Sequence, residues 1–333
     1  MPTNLLPTNL PRSPQRKRKR RCDIKLSNVY GIPKGIYDAI KALVYEPDAT
    51  VLRVSELIHA PLVKKLMIDN WKTLEQDASE NLLTLIGTGV HGLLEKSDKG
   101  DVDTELEIRI PIPGFKAVLK GSVDRVDWGR KLLEDYKCVG VMAYIFGKKK
   151  GFPDYTDQLN VYRWMIRKKF PEREIERIRL NLIFRDWKIR DARHDPDNYP
   201  PSPFATADIA LWSEDQANKY VNQRLDLHLR REPRPCNDEE RWHTPDCYAV
   251  KSKTKKAALA ATDPTSATPI ASMERALQII EEKGLTSEYK SGKVFVEHRK
   301  GQDTKCLDWC AVRSVCPHNR YNQEQTGDDD GTN

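Results

Sequence analysis

No run in this 333-residue chain approaches the ~18–20 consecutive apolar residues that a membrane-spanning helix requires. No apolar signal-peptide core follows the N-terminus either, so a soluble protein of the cytoplasm, or of the nucleus, is expected. A disulfide framework is also missing. The seven cysteines (Cys22, Cys138, Cys236, Cys247, Cys306, Cys310 and Cys316) are an odd number in a chain of cytosolic character. What the body of the chain lacks most is excess charge. The net charge is +7, and residues 1–25 hold eight Lys or Arg against one acid, Asp23, which is the whole excess. Residues 26–333 carry 48 basic and 48 acidic residues. Any nucleic-acid binding there must come from local charge separation and not from a globally basic domain.

Enough remains for a core: 38% of residues are hydrophobic and 32% charged. Four regions are expected. Residues 1–25 read as a disordered basic tail with PTNL twice and the run Arg16–Arg21, a nucleic-acid-binding arm, a nuclear localisation signal or a solvated tail. Residues 26–232 read as the main folded region, 233–321 as a C-terminal extension bearing cysteines, and 322–333 as a disordered acidic tail.

Within the main region the patterns predict helices over Pro33–Tyr45 and, capped by Ser55, through Met67. A long helix is predicted from Trp71 to about Glu95. Gly87 and Gly89 lie inside it, which suggests close approach by another backbone, and His91 and Glu95 share a face. Strands are predicted at Glu105–Pro111, Phe115–Trp128, Lys131–Lys137 and Ile175–Phe184, with a Gly- and Lys-rich loop at Cys138–Gly151. Pro153 opens a helix to about Lys169, and Gln158 and Tyr162 share one face of it. Residues 190–210 read as a connection and Trp212–Arg231 as a helix. Beyond a Pro-rich turn holding Cys236 come a small-residue linker (Thr254–Pro269), a helix (Met273–Lys283) and a strand (Lys293–Glu297). Hairpin-connected strands followed by a crossover helix predict an α/β (α+β) fold with a mixed central sheet flanked by helices.

The stretch GSVDRVDWGRKLLEDYK, Gly121–Lys137, concentrates the chemistry. On a strand, residues two apart share a face, so Asp135 and Lys137 project together and Glu134 and Tyr136 point the other way. If Asp124 faces the same cleft, two carboxylates and an ammonium converge. Hard oxygen ligands suit Mg²⁺ or Mn²⁺, and the lysine can orient a water or steady developing negative charge.

Four motifs then occur in order: GTGVHGLLE (Gly87–Glu95), GSVDRVD (Gly121–Asp127), EDYK (Glu134–Lys137) and QLNVY (Gln158–Tyr162). Together they resemble the RecB-type branch of the PD-(D/E)XK nuclease superfamily, over roughly residues 50–185, and in wording phage-encoded exonuclease-like members. The resemblance implies a restriction-endonuclease-like core and a metal-dependent DNA nuclease, an exonuclease first, of phage-type recombination, replication or degradation. The alternatives are a non-cleaving DNA-binding scaffold that keeps the fold, or a structure-specific endonuclease. It implies His91, Asp124, Asp135 and the Tyr136 carbonyl as metal ligands and Lys137 as the group positioning water. Gln158 and Tyr162 would contact DNA phosphates or hold the lysine. Val123–Asp124 takes the "PD" position, and Pro153–Asp154 is a decoy. DNA is the implied partner, with a single-strand annealing or recombination protein beside it. The compartment would be the host cytoplasm.

The cysteines near the C-terminus, Cys306-x3-Cys310-x5-Cys316, point to a metal or cluster site, yet do not match the paired C-x2-C spacing of zinc ribbons. RecB-type relatives often carry a [4Fe–4S] cluster on three C-terminal cysteines and one upstream, and Cys306, Cys310 and Cys316 match the three. The upstream segment here reads Ile58-His59-Ala60-Pro61 without cysteine. Cys236 is the expected fourth ligand, with Cys22, Cys247 and His318 as the others. Zn²⁺ is the alternative to iron–sulfur.

Overall fold

A computed structural model describes residues 25–96, 100–319 and 321. The basic run Arg16–Arg21, Cys22 and residues 322–333 lie outside the described residues. The elements in chain order are β1 (Lys25–Ser27), α1 (Lys34–Leu43), β2 (Val51–Arg53), α2 (Val54–Leu57), α3 (Pro61–Asn70), β3 (Glu75–Asp77) and α4 (Leu82–Leu94). There follow β4 (Val102–Pro111), β5 (Val118–Asp127), β6 (Leu132–Val139), α5 (Val141–Lys150), α6 (Pro153–Lys169), β7 (Arg177–Phe184), α7 (Ile189–His194), β8 (Phe204–Ile209) and α8 (Glu214–Leu229). The C-terminal part holds α9 (Asp238–Arg241), β9 (His243–Thr244), β10 (Cys247–Ser252), α10 (Met273–Glu282), α11 (Thr286–Lys290), β11 (Val294–Arg299) and β12 (Gln302–Asp303). Among the described residues no helix is long and apolar enough to cross a membrane.

The fold is α/β: a six-stranded mixed sheet flanked by helices. β5 runs antiparallel to β4 over its whole length. Its other edge is shared. β2 pairs with it, parallel, at Val118–Lys120, and β6 pairs with it, antiparallel, at Arg125–Asp127. Between those two partners β5 and β6 diverge, and the sheet forks at Gly121–Asp124. Beyond the fork β6 continues parallel to β7, and β7 pairs antiparallel with β8. The parallel β6–β7 step needs a crossover, supplied by α5 and α6. α6 starts where Pro153 presets the first turn and ends on Arg167, Lys168 and Lys169, which complement the helix dipole. Its Leu159, Met165 and Ile166 are buried against Val123, Leu133 and Leu180 of the sheet, and this is the main core. A second small core joins Val250 and Val294 of the β10–β11 ladder to Ile279 and Ile280 of α10. A third joins Trp71 and Leu74 to Val312.

Four expectations are corrected. The long helix from Trp71 does not form. Instead α3 stops at Asn70, and Asp77 ends β3, takes the Ser79 N–H at 3.0 Å and binds Ser27 and Val29, so helix restarts only at Leu82. Ser55 caps nothing; it lies inside α2, which Arg53 precedes. Cys138–Gly151 is not a loop: α5 fills most of it, started by Asp186, whose carboxylate accepts the Val141 N–H at 2.7 Å, and ended by Gly151 at φ 76°. Residues 190–210 are not a mere connection but contain most of α7 and the edge strand β8. In addition, no backbone approaches Gly87 or Gly89, because a Cβ built on either meets nothing within 4 Å.

Gly147 on α5 is the opposite case, since a Cβ there would lie 2.2 Å from the buried Phe152 ring. Gly147→Ala is expected to lose about 1–3 kcal/mol of stability through overpacking. Gly87→Ala should gain up to about 1 kcal/mol from helix propensity. Denaturant unfolding of both variants measures the contrast.

Candidate metal centre

The fork in the sheet builds the site. Past Glu134, β6 has lost β5 as a ladder partner, and its backbone groups must be satisfied otherwise. The Asp124 side chain takes over: its Oδ2 accepts the Tyr136 N–H at 2.8 Å. On the other side of the same peptide unit pair, the Tyr136 carbonyl accepts from His91 Nε2 at 3.0 Å. Gly121 lets α6 lie close to the strand, since a Cβ there would meet Met165 Sδ at 3.0 Å and the Tyr162 ring at 3.1 Å.

The structure brings part of the expected set together: His91 and Asp124 meet at the fork, while Asp135 and Lys137 form their own buried pair outside the His91–Glu105–Asp124 group. His91 Nδ1 lies 3.5 Å from Asp124 Oδ1. Asp135 and Lys137 project together on β6, with Lys137 Nζ 2.5 Å from Asp135 Oδ2. The Asp135 carboxylate is 1% exposed, and neither oxygen has a hydrogen-bond partner among the described residues. A buried anion left with acceptor capacity is what a cation would complete. Gln158 Nε2 donates to the Tyr162 hydroxyl at 3.0 Å, and Tyr162 is buried beneath the site. The neighbouring acids are engaged elsewhere. Glu134 pairs with Arg125 at 2.5 Å and accepts from Asn181, and Asp127 accepts the Arg130 N–H.

Two neighbours were not read from the sequence. Glu105 stands opposite Asp124 in the β4–β5 register, at a position without a ladder pair, and its φ is 50°. A non-glycine residue in that region is strained, and such strain gathers at functional sites. The distortion brings Oε1 3.4 Å from His91 Nδ1, and Oε2 accepts from Ser122 Oγ at 3.2 Å. His91, Glu105 and Asp124 offer ligand atoms that all lie within 4.8 Å of one another, a group able to hold a metal ion. Their pocket is also lined by Glu95 and Tyr136. The second neighbour is Tyr155, whose ring centre is 5.9 Å from Lys137 Nζ. The period-two pattern of β4 carries no sign of the turn at Glu105.

The electrostatics agree with a cation-binding pocket. Burial, with the charge of Asp135 second, pushes the Asp124 carboxyl up to about 7. The Glu105 carboxylate raises the His91 imidazole against the effect of burial. Burial works to lower the Lys137 ammonium, but the charges of Asp135 and Asp124 outweigh it and hold the lysine protonated. Hard carboxylate oxygens, a carbonyl and an imidazole are a donor set for Mg²⁺ or Mn²⁺.

The cysteines form a separate group. Burial, then Glu240, then Cys310, Cys316 and Cys306 push the Cys236 thiol up to about 12. Burial and the neighbouring Cys310 raise Cys306 as well. Cys236 therefore lies within electrostatic reach of the three C-terminal cysteines, although among the described residues their sulfurs do not gather into a compact ligand group. Cys247 instead lies in β10, opposite Arg299. Cys310 and Val315 pack against Trp71 and Leu74, so this segment is seated on the α3–β3 turn.

The sign of the pH dependence follows from the shifts. A carboxyl raised from 3.8 to about 7 binds its proton more tightly when folded, so its contribution to stability is lost as pH rises between those values. The raised His91 acts in the same direction, lost as pH rises through its folded value. In EDTA the protein is expected to melt higher at pH 6 than at pH 8, and Asp124→Asn should flatten this difference; thermal melts across the range measure it.

No family model matches the chain, and no curated protein matches it. Among solved structures it is similar to the protein SSO0001, at 18% identity and a TM-score of 0.35, over 58% of this chain and 83% of that one. It is also similar to a phage-related exonuclease from Haemophilus somnus 129PT, at 14% identity and a TM-score of 0.34, over 53% of this chain and 90% of that one. Both likenesses are distant.

Proposed function

We propose that this chain is a divalent-metal-dependent deoxyribonuclease of the PD-(D/E)XK type, acting first on DNA ends. The observation that carries the reading is the convergence at the sheet fork of His91, Glu105, Asp124 and the Tyr136 carbonyl beside the buried Asp135–Lys137 pair. Residues 26–232 would carry this chemistry.

His91, Glu105, Asp124, Asp135 and the Tyr136 carbonyl are the residues that would hold Mg²⁺ or Mn²⁺. Such an ion, when bound, neutralises charge on the scissile phosphate and eases attack by water. The chain's own groups do the rest. Asp124 ties β6 to β5 through the Tyr136 N–H, which fixes Asp135 and Lys137 in place. Lys137, kept protonated by its acids, donates to the attacking water or to the phosphate oxygens as charge develops. Tyr162, locked by Gln158, and the Tyr155 ring close off the lysine from behind, which favours holding Lys137 over contact with DNA as their role.

The thiols of Cys236, Cys306, Cys310 and Cys316 are the proposed ligands of a [4Fe–4S] cluster, with Zn²⁺ as the alternative. Its role would be to fasten residues 233–321 to the core. Protein purified without oxygen should be coloured and contain iron. Cys236→Ser should lose the metal, and Cys247→Ser should keep it. A colourless protein with stoichiometric zinc would replace iron by zinc, and one with neither metal would end the proposal.

With Mg²⁺ or Mn²⁺ the protein should degrade end-labelled linear DNA and spare closed circles. EDTA, Asp124→Ala and Lys137→Ala should each abolish product, and Glu105→Gln should lower the rate at least about 100-fold, as loss of one transition-state-stabilising group does. Cleavage of the circles would make it an endonuclease. Binding without product, unaffected by Asp135→Ala, would make it a scaffold.

A further inference from the structure

The helix that follows the Asp135–Lys137 strand has an outer face that nothing among the described residues covers. α5 starts four residues after Lys137 and is fixed to the site from within. Lys137 Nζ lies 5.9 Å from the Tyr155 ring centre, Tyr155 lies 6.5 Å from Phe152, and Phe152 lies 6.4 Å from Tyr144 of α5. Gly147 admits the Phe152 ring against the helix, and Asp186 and Gly151 secure its two ends. The helix is therefore rigidly placed. Yet Met142 is 52% exposed and Phe146 55% exposed. The two are four apart and share one face, and the exposed Lys149 and Lys150 continue that face by one turn.

We propose that this face is a stacking platform for the bases of a single DNA strand at the site. The proposal rests on the nuclease reading above and adds the form of the substrate. A polarisable thioether and an aromatic ring present flat apolar surface to a base, and every base has a π-face. Cations on the same face match phosphates one or two nucleotides along, and they argue against an apolar protein partner. Bases inside a duplex are already stacked on each other and offer no face to Phe146. Only a single strand or a frayed end can use the platform.

Fluorescence anisotropy in EDTA, with labelled oligo(dT) and a blunt hairpin duplex, tests it. Phe146→Ala should weaken oligo(dT) binding by about five- to a hundred-fold, the range of one lost base–aromatic stack, and leave the duplex nearly unchanged. Phe146→Trp should restore binding, and Phe146→Leu should not. Lys149→Ala and Lys150→Ala should each lower the slope of log K against log salt by about 0.7. If wild type cleaves DNA and Phe146→Ala binds oligo(dT) equally well, the platform is wrong. It is also wrong if the variant loses both ligands equally, or if the variant changes only the oligomeric state in size-exclusion chromatography. A wild type that neither binds nor cleaves any DNA overturns the nuclease reading, and the platform with it.

Discussion

The hydrogen bond from the Tyr136 N–H to the Asp124 carboxylate holds the site together. β5 cannot pair with β2 and β6 along one edge without a gap, and this side chain spans it. The bond turns a break in the ladder into a pocket. It fixes the Tyr136 carbonyl toward His91 and keeps Asp135 and Lys137 facing α6. The cost is a buried carboxylate held close to another, and the raised Asp124 records that cost.

Charge explains why so many ionisable groups are tolerated there. Glu105, Asp124 and Asp135 carry three negative charges when ionised, against one positive charge on Lys137. With His91 neutral the centre is left at −2, the charge a divalent cation cancels. Burial makes that cancellation worth more than it would be in water. Without the ion, proton uptake by Asp124 and His91 is the remaining way to lower the charge, which sets the direction of the pH dependence.

Much of this arrangement was legible in the sequence, because it depends on local periods. The strands containing Asp124 and Asp135–Lys137 alternate visibly, and Pro153 marks the start of α6. Glu105 was not legible. Its role depends on lying across from Asp124 and on a backbone turn that no alternation pattern reports. α5 was obscured by its glycines and lysines, and its start depends on Asp186, far away in sequence. The stop after Asn70 depends on Asp77 binding Ser27 and Val29, again a distant contact. β8 is a short edge strand defined only by β7 beside it.

The central claim is that the sheet fork holds one divalent cation between His91, Glu105 and Asp124. A crystal soaked in MnCl₂, with anomalous scattering measured near the manganese edge, tests it directly. The account predicts one strong peak within bonding distance of Asp124 and His91, with Glu105 or Asp135 completing the shell, and no such peak in Asp124→Asn. A fully soaked crystal with no manganese at the fork, or with its manganese bound elsewhere, would contradict it.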